Sequence, residues 1–142
     1  MIIKANKNHL DSLLYLEEMC FKNDCFKLSR ANFLYHIKKE NILIYLKDEK
    51  VVAYILSITY KNSIRIYSLA VDKNYQNMSL ATKLCENIIN NSNKKIYLEV
   101  RKSNEKAIRL YEKLGFKYQK ILKNYYFDED GIKMLREFEI GN

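Results

Sequence analysis

The chain has 142 residues, a net charge of +8 and a hydrophobic content of 48%. That length predicts one domain, residues 1–142, which is large enough to bury its own core. No apolar run approaches a membrane span, and Met1-Ile-Ile-Lys4 lacks the charged-then-apolar pattern of a leader. We therefore expect a cytoplasmic protein that contacts no membrane. Its three cysteines form no CxxC pair, and because an odd number in a chain without a leader pattern is typical of free thiols, we expect them to be reduced.

The positive charge raises the question of nucleic-acid binding. The lysines are scattered along the whole chain and form no basic stripe. An excess of Lys, Asn, Ile and Tyr, with 3 Gly and no Pro or Trp, indicates A+T-rich coding, which accounts for the charge. We therefore do not expect direct nucleic-acid binding, although a ligand that carries phosphates would benefit from the same charge.

The first part of the chain predicts one strand and two helices. Residues 1–5 form the strand, and Asn6 can cap the first helix. Residues 21–28 show no periodicity and predict a loop, after which Ser29 can cap the second helix. The two apolar stripes that should face a sheet comprise Leu10, Leu13, Leu14 and Met19, then Phe33, Leu34 and Ile37.

The middle of the chain predicts an antiparallel meander of strands 42–47, 51–59 and 63–71, because short polar turns separate them. A helix that ends near Asn90 follows. The order of helices, meander, helix, strand, helix and hairpin predicts an α+β fold. The final hairpin is predicted as strands 116–124 and 132–140 around a turn at 128–131.

The most informative stretch is residues 98–116. Leu98 and Val100 alternate with Glu99 and Arg101, as in a strand with two distinct faces. Ser103 or Asn104 can cap the helix that follows, and Gly115 can stop it. The residues of this helix with apolar spacing are Ala107, Ile108, Leu110, Tyr111 and Leu114.

This stretch, Glu-Val-Arg-x-Ser-Asn-x-x-Ala-Ile-x-Leu-Tyr-x-x-Leu-Gly-Phe, resembles the acetyl-CoA and catalytic motif of GNAT-fold N-acetyltransferases. It is most similar to the RimI-like family, which acetylates the N-terminal alanine of a small-subunit ribosomal protein. The resemblance continues through residues 67–89 and 124–126. It implies a GNAT fold, with a mixed, mostly antiparallel central sheet and helices on both faces. It also implies acetyl-CoA-dependent acetylation of a protein's N-terminal α-amine.

A strand that leads into a loop and then a helix points several backbone N–H groups at one place, which suits a pyrophosphate. Here the strand ends at Val71 and the helix opens near Ser79. GNAT proteins carry the pattern Gln/Arg-x-x-Gly-x-Gly/Ala at this position, and Gln76, Ser79 and Ala81 occupy its named places. Because serine replaces glycine at 79, either the affinity for CoA is lowered, or the serine hydroxyl compensates for the loss by donating a hydrogen bond.

The resemblance implies a cofactor-binding role for two groups of residues. The first group is the strand end and the following loop and helix start: Leu69, Ala70, Val71, Gln76, Asn77, Met78, Ser79, Leu80, Ala81 and Thr82. The second group belongs to the later motif: Asn104, Ala107 and Tyr111. Backbone groups at Leu69–Val71 and the Asn104 side chain are implied to hold the pantetheine arm.

Acetyl transfer to an amine needs a neutral nucleophile, a polarised thioester and a proton for the departing thiolate. An α-amine has a pKa of about 7.7–8.0, against about 10.4 for lysine, so a modest base acting through water suffices. The resemblance implies that Glu99 is this base and Tyr111 the acid. Pattern alone predicts a solvated strand residue for Glu99 and a core residue for Tyr111. The implied substrate-binding residues are Phe21, Phe26, Tyr125 and Tyr126, with Cys20 beside them.

Two alternatives stay open at this stage. The same fold and cofactor could serve a small amine or an internal lysine, since fold transfers better than substrate. A non-catalytic basic module that binds RNA or the ribosome is the other alternative. His9 and His36 have no partner placed for a catalytic triad, and no cluster has metal-ligand spacing, so we predict no metal.

Overall fold

The computed structural model describes residues 1–138, which form seven strands and four α-helices. None of the described helices is long and apolar enough to cross a membrane. The strands are β1 (Ile2–Lys4), β2 (Ile42–Lys47), β3 (Lys50–Thr59), β4 (Ser63–Val71), β5 (Lys95–Arg101), β6 (Lys117–Tyr126) and β7 (Glu129–Arg136). The helices are α1 (Leu10–Phe21), α2 (Arg30–Lys38), α3 (Leu80–Asn90) and α4 (Glu105–Lys113).

All seven strands join one sheet in the order β1-β2-β3-β4-β5-β7-β6. Strands β2 to β4 form the predicted antiparallel meander, and β1 pairs antiparallel to β2. Strand β5 pairs parallel to β4, and β7 pairs antiparallel to both β5 and β6. The predicted mixed, mostly antiparallel sheet is therefore confirmed.

Two apolar clusters, one on each face of the sheet, hold the helices. On one face Leu13 of α1 and Phe33 of α2 pack with Ile44 and Leu56 of the sheet. The other cluster combines α3 and α4 with residues of β3, β4 and β5, and its members include Val52, Ile55, Ile64, Ile66, Leu84, Leu98, Val100 and Tyr111. Because Leu98 and Val100 point toward α3 and α4, Glu99 between them points toward α1 and α2.

The predicted caps are present, with one change. Ser29 accepts a hydrogen bond from the backbone N–H of Asn32 at the start of α2, and Asn104 accepts one from Ala107 at the start of α4. Asn6 caps a short 3₁₀ helix, Lys7–His9, and α1 begins only after it.

The final hairpin turns earlier than predicted. The turn lies at residues 127–128, because β6 continues to Tyr126 and β7 starts at Glu129. Asp128 lies in this turn, whereas Glu129 already belongs to β7, and both form ion pairs with Arg101. Residues 139–140 of the predicted last strand lie outside the described residues.

Strand β4 carries a bulge that opens the sheet. Leu56 of β3 pairs with Ser68, but the next residue, Ser57, pairs with Ile66, so Tyr67 is an extra residue. A bulge bends its strand and increases the local twist. Pairing between β4 and β5 accordingly runs only over residues 63–66 and 95–98. Beyond that point the two strands separate.

Candidate active site

A cavity of about 580 Å³ occupies the separation between β4 and β5. It is lined from one side of the sheet by Glu17 of α1 and from the other by Tyr111 of α4. The cavity therefore connects both faces of the sheet. Its volume is within the usual range of about 300–1,000 Å³ for ligand sites.

Glu99 and Tyr111 both line this cavity. Glu99 reaches it from the α1–α2 face, whereas Tyr111 belongs to the apolar cluster on the α3–α4 face. A ligand in the gap can thus contact a carboxylate on one side and a phenol on the other.

Glu99 is paired with Arg65, a neighbour across the β4–β5 ladder. Its Oε1 accepts a hydrogen bond from Arg65 Nε at 2.9 Å and forms an ion pair with Arg65 Nη2 at 2.7 Å. Arg65 Nη2 also donates to the Tyr125 hydroxyl at 3.0 Å. Burial is the largest single influence and lowers the pKa of Arg65, but the charge and the hydrogen bond of Glu99, with smaller contributions from Tyr125 and Tyr97, together outweigh it, and the net shift is upward. The guanidinium therefore stays charged and fixes both side chains.

Tyr111 is buried, with 8% of its surface exposed, and packs edge-on against Phe116 at 5.7 Å between ring centroids. Burial is the main cause that raises the pKa of its hydroxyl. The phenol is therefore protonated at neutral pH, as a proton donor must be.

The start of α3 has the features that a pyrophosphate requires. Ser79 precedes the helix, and its side chain makes no capping hydrogen bond to any described residue. The first-turn amides are consequently left to a ligand or to water. Ser79 has φ +59° and ψ +27°, the left-handed conformation that glycine adopts without strain. The serine thus holds a backbone conformation that is easier for glycine, the residue of the family pattern.

We expect Ser79→Gly to stabilise the protein by about 1 kcal/mol, because a residue with a Cβ is strained at this φ and glycine is not. Thermal or urea unfolding of the two proteins would measure the difference. Ser79→Ala is the matched control, since it removes the hydroxyl but keeps the Cβ. If Ser79→Ala stabilised the protein as much as Ser79→Gly, backbone strain would not be the cause.

Most of the implied cofactor-binding residues meet at this side of the cavity. Asn104 lines it, and because its oxygen caps α4, its amide N–H₂ remains available to a ligand. Leu80 is 2% exposed and packs in the core instead. Among the described residues, neither Leu80 nor Met78 lines the cavity. The implied residues that do line it are Leu69, Ala70, Val71, Gln76, Asn77, Ser79, Ala81, Thr82, Asn104, Ala107 and Tyr111. This donor set fits CoA.

The α1–α2 side of the cavity is walled by aromatic residues. The Phe26 ring packs tilted against Tyr125 at 5.2 Å and edge-on against Tyr126 at 5.7 Å between ring centroids, and Phe21 also lines the cavity. Successive residues of a regular strand point to opposite faces, yet Tyr125 and Tyr126 both line it. The implied acceptor residues thus lie together.

A distortion of β6 explains why both tyrosines face the cavity. Asn124 has φ +53°, and its backbone N–H donates to Asp130 at 2.8 Å. The register with β7 jumps from Leu122–Gly131 to Tyr126–Glu129, so three residues oppose one. Gly131 gives the rings their room, because a Cβ there would lie 3.1 Å from Tyr126 and 3.2 Å from Tyr125.

Arg101 joins the segments that line the α1–α2 side of the cavity, which we call the acceptor side because the implied acceptor residues lie there. Its guanidinium binds Asp24 of the α1–α2 loop at 3.2 Å, Asp128 at 2.6 Å and Glu129 at 3.1 Å. It also lies over the Tyr126 ring at 4.4 Å from the centroid. One side chain of β5 thus ties the loop and the hairpin to the sheet.

The sequence reasoning did not identify Arg65, Arg101, Glu17 or Asp24, although all four line the cavity. A signal for Arg101 was present in the sequence, since it shares a strand face with Glu99. A signal for the bulge in β4 was also present in the spacing of its apolar residues: Ile64 and Ile66 are two apart, but Leu69 follows after three. That change of phase marks the bulge at Tyr67.

Comparison with known proteins gives a consistent result. The sequence model that describes the acetyltransferase (GNAT) family matches residues 10–116. Over 70 residues, 46% of this chain and 47% of the relative, the sequence is 43% identical to the ribosomal protein bS18-alanine N-acetyltransferase of Escherichia coli K12. Over 77 residues, 50% of this chain and 46% of the relative, it is 48% identical to an N-alpha-acetyltransferase of Saccharolobus solfataricus. The chain thus spans about half the length of the curated relatives it matches.

The structural similarity extends over the whole chain. The crystal structure of the Escherichia coli ribosomal-protein-S18-alanine N-acetyltransferase superposes with a TM-score of 0.87 at 28% identity, covering 100% of this chain and 96% of that one. Ard1 from Thermoplasma volcanium gives 0.86 at 26% identity, with 96% and 95% covered. The family match, the sheet with its opened strands and the cavity between them all agree: the chain belongs to the acetyltransferase (GNAT) family.

Proposed function

We propose that the chain is an acetyl-CoA-dependent enzyme of the cytoplasm that acetylates the N-terminal α-amine of a protein, a small-subunit ribosomal protein being the preferred candidate. One observation carries this proposal: a single cavity through the sheet has Glu99 at one side and Tyr111 at the other. The names of the bS18-alanine and N-alpha-acetyltransferases support the choice of acceptor.

In this proposal the two faces of the sheet hold different substrates. Acetyl-CoA supplies the acetyl thioester, and the α3 amides, the end of β4 and Asn104 would hold it. The peptide would enter along the aromatic wall that Phe26, Tyr125 and Tyr126 form together. Glu99 takes a proton from the attacking amine through a water molecule, and Tyr111 gives a proton to the departing thiolate.

Direct attack by the amine is favoured over an acetylated enzyme. Cys20 lines the cavity and its thiol donates to the Val71 carbonyl at 3.5 Å. Burial raises the pKa of that thiol, so it is protonated at neutral pH and a poor nucleophile.

The test is a turnover assay with acetyl-CoA and a peptide that begins Ala-Arg, followed by mass spectrometry to locate the acetyl group. The matched controls are the same peptide with a blocked N-terminus and an internal lysine, and a polyamine. Acetylation of the free N-terminus alone would support the proposal. A product on lysine or polyamine would favour the second acceptor class. RNA binding with steep salt dependence and no affinity for acetyl-CoA would favour the non-catalytic alternative.

A further inference from the structure

A second carboxylate, Glu17, lines the cavity and has no part in the mechanism above. It is 2% exposed, and its two oxygens are used separately. Oε2 accepts a hydrogen bond from the backbone N–H of Leu28 at 2.7 Å, and Oε1 accepts one from the Tyr54 hydroxyl at 2.5 Å. A buried acid with these contacts can both hold the α1–α2 loop and exchange a proton with Tyr54.

The hydroxyl of Tyr54 continues the contact back to the cavity. It lies 2.7 Å from Ser68 Oγ, and Ser68 itself lines the cavity. Ser68 directly follows the bulge residue Tyr67, so its hydroxyl belongs to the part of β4 that has separated from β5. Ser68, Tyr54 and Glu17 therefore form an unbroken chain of hydrogen bonds that starts at the cavity on the acceptor side.

The chemistry of the proposed acceptor needs two proton acceptors. An α-amine with a pKa of about 7.7–8.0 is mostly R–NH₃⁺ at neutral pH. It must lose one proton before it can attack and a second as the C–N bond forms. Glu99 can take one of these. Its charge, however, is already balanced by two contacts with Arg65.

We propose that Ser68, Tyr54 and Glu17 form a proton relay that removes the first proton from the acceptor ammonium. This inference rests on the proposed function. The ammonium gives a proton to Ser68 Oγ, which passes its own proton to the Tyr54 oxygen, which passes its own to the Glu17 carboxylate. Both hydroxyls are regenerated, the amine becomes neutral, and Glu17 becomes a neutral acid. Glu99 then takes the second proton during attack.

The surroundings of Glu17 suit a proton acceptor. Burial is the largest influence and raises the pKa of its carboxyl, and nearby Asp24 adds to that. The hydrogen bonds from Tyr54 and Leu28 and the charge of Lys27 act in the opposite direction. Cys20, on the same helix, is protonated at neutral pH. The net pKa is raised, which brings the carboxylate closer to the pKa of the amine it must serve.

The test compares Ser68→Ala, Tyr54→Phe and Glu17→Gln with the wild type by the pH dependence of kcat/KM for the peptide. Without the relay only the neutral amine reacts. We therefore expect kcat/KM of all three to be about tenfold lower near pH 6.8, where about one amine in ten is neutral, and within about twofold at pH 9. Glu99→Gln should instead stay impaired at pH 9. Ser57→Ala and Tyr45→Phe are the matched controls on neighbouring strands.

A purely structural role for Glu17 predicts something different. Ser68→Ala does not touch the Leu28 contact, and the amide oxygen that Glu17→Gln introduces can still accept it, so these variants would match the wild type at every pH. That result, or a loss equal at pH 6.8 and pH 9, would overturn the relay. As a readout independent of turnover, carboxyl NMR of the free protein should show Glu17 titrating at higher pH in Tyr54→Phe, because the Tyr54 hydrogen bond favours the carboxylate. An unchanged titration would also overturn it.

The two proposals fail in distinguishable ways. If the wild type acetylates a lysine or a polyamine but no N-terminus, the proposed function is wrong, and the same variants are then compared on the amine that reacts. If the wild type acetylates the N-terminus and the variants equal it across the pH range, only the relay is wrong. A wild type that acetylates none of these acceptors overturns both.

Discussion

Glu99→Gln is expected to lower kcat for peptide acetylation about 10²–10⁴-fold, the range that a positioned general base contributes. The amide cannot take a proton, but its oxygen can still accept a hydrogen bond from Arg65, which now binds the Glu99 carboxylate. The dissociation constant for acetyl-CoA should therefore stay the same. Steady-state kinetics and isothermal titration calorimetry would measure the two quantities.

The control must separate loss of a base from loss of an ion pair. Glu105→Gln on α4 is matched, because Glu105 also pairs with an arginine, Arg109, at 3.8 Å, but on the exposed surface. It should keep wild-type kcat. Full turnover in Glu99→Gln would show that this carboxylate is not the base. A markedly lower melting temperature in Glu99→Gln, which shows that the variant is partly unfolded under the assay conditions, would point to a structural role instead.

Tyr111→Phe tests the second catalytic role, that of the proton donor on the other face of the sheet. The ring and its edge-on packing with Phe116 are kept, and only the buried hydroxyl is removed. We expect kcat to fall by about 10²-fold or more, since the departing thiolate loses its proton donor. If both variants kept full turnover with acetyl-CoA bound normally, the assignment of the two catalytic roles would be wrong.

Arg101→Met is expected to raise the KM for the peptide about tenfold or more, with little change in acetyl-CoA affinity. The substitution removes the contacts to Asp24, Asp128 and Glu129. A hydrogen bond to a charged group contributes about 1.5–3 kcal/mol, and a tenfold change corresponds to about 1.4 kcal/mol. Loss of one effective contact between loop and hairpin is enough to reach that factor.

Arg109→Met tests whether any arginine would give this result, because Arg109 makes an exposed pair within α4. It should leave both constants unchanged, since exposed pairs contribute little. Asp24→Asn removes the charge from the loop alone and should give a smaller rise in KM than Arg101→Met. An unchanged peptide KM in Arg101→Met would show that the walls of the acceptor side do not depend on this residue.

Local patterns predicted most of the fold because the features concerned are local. The alternation in β5, the capping residues Ser29 and Asn104 and the apolar stripes of the helices each depend on residues within a few positions. The position of Glu99 and Tyr111 in one motif followed from the same short stretch. The prediction that the two side chains act at one site came from the resemblance to a family, since pattern alone favoured a solvated strand residue for Glu99 and a core residue for Tyr111.

The parts that were not predicted join residues far apart in the chain. Arg101 binds Asp24, which is 77 positions away, and Arg65 binds Tyr125, which is 60 away. No local spacing encodes such a pair. Backbone distortions were also missed, because at Asn124 a residue with a Cβ adopts a positive φ that glycine usually marks.

The passage through the sheet separates two requirements that most binding sites must satisfy with one surface. Residues that would receive the acyl donor lie on α3, α4 and the end of β4, whereas those that would meet the acceptor lie on the α1–α2 loop and the hairpin. A change at the second entrance leaves the first intact. Descendants of one ancestor can therefore exchange one amine for another by altering two surface segments, without rebuilding the machinery that carries the acyl group.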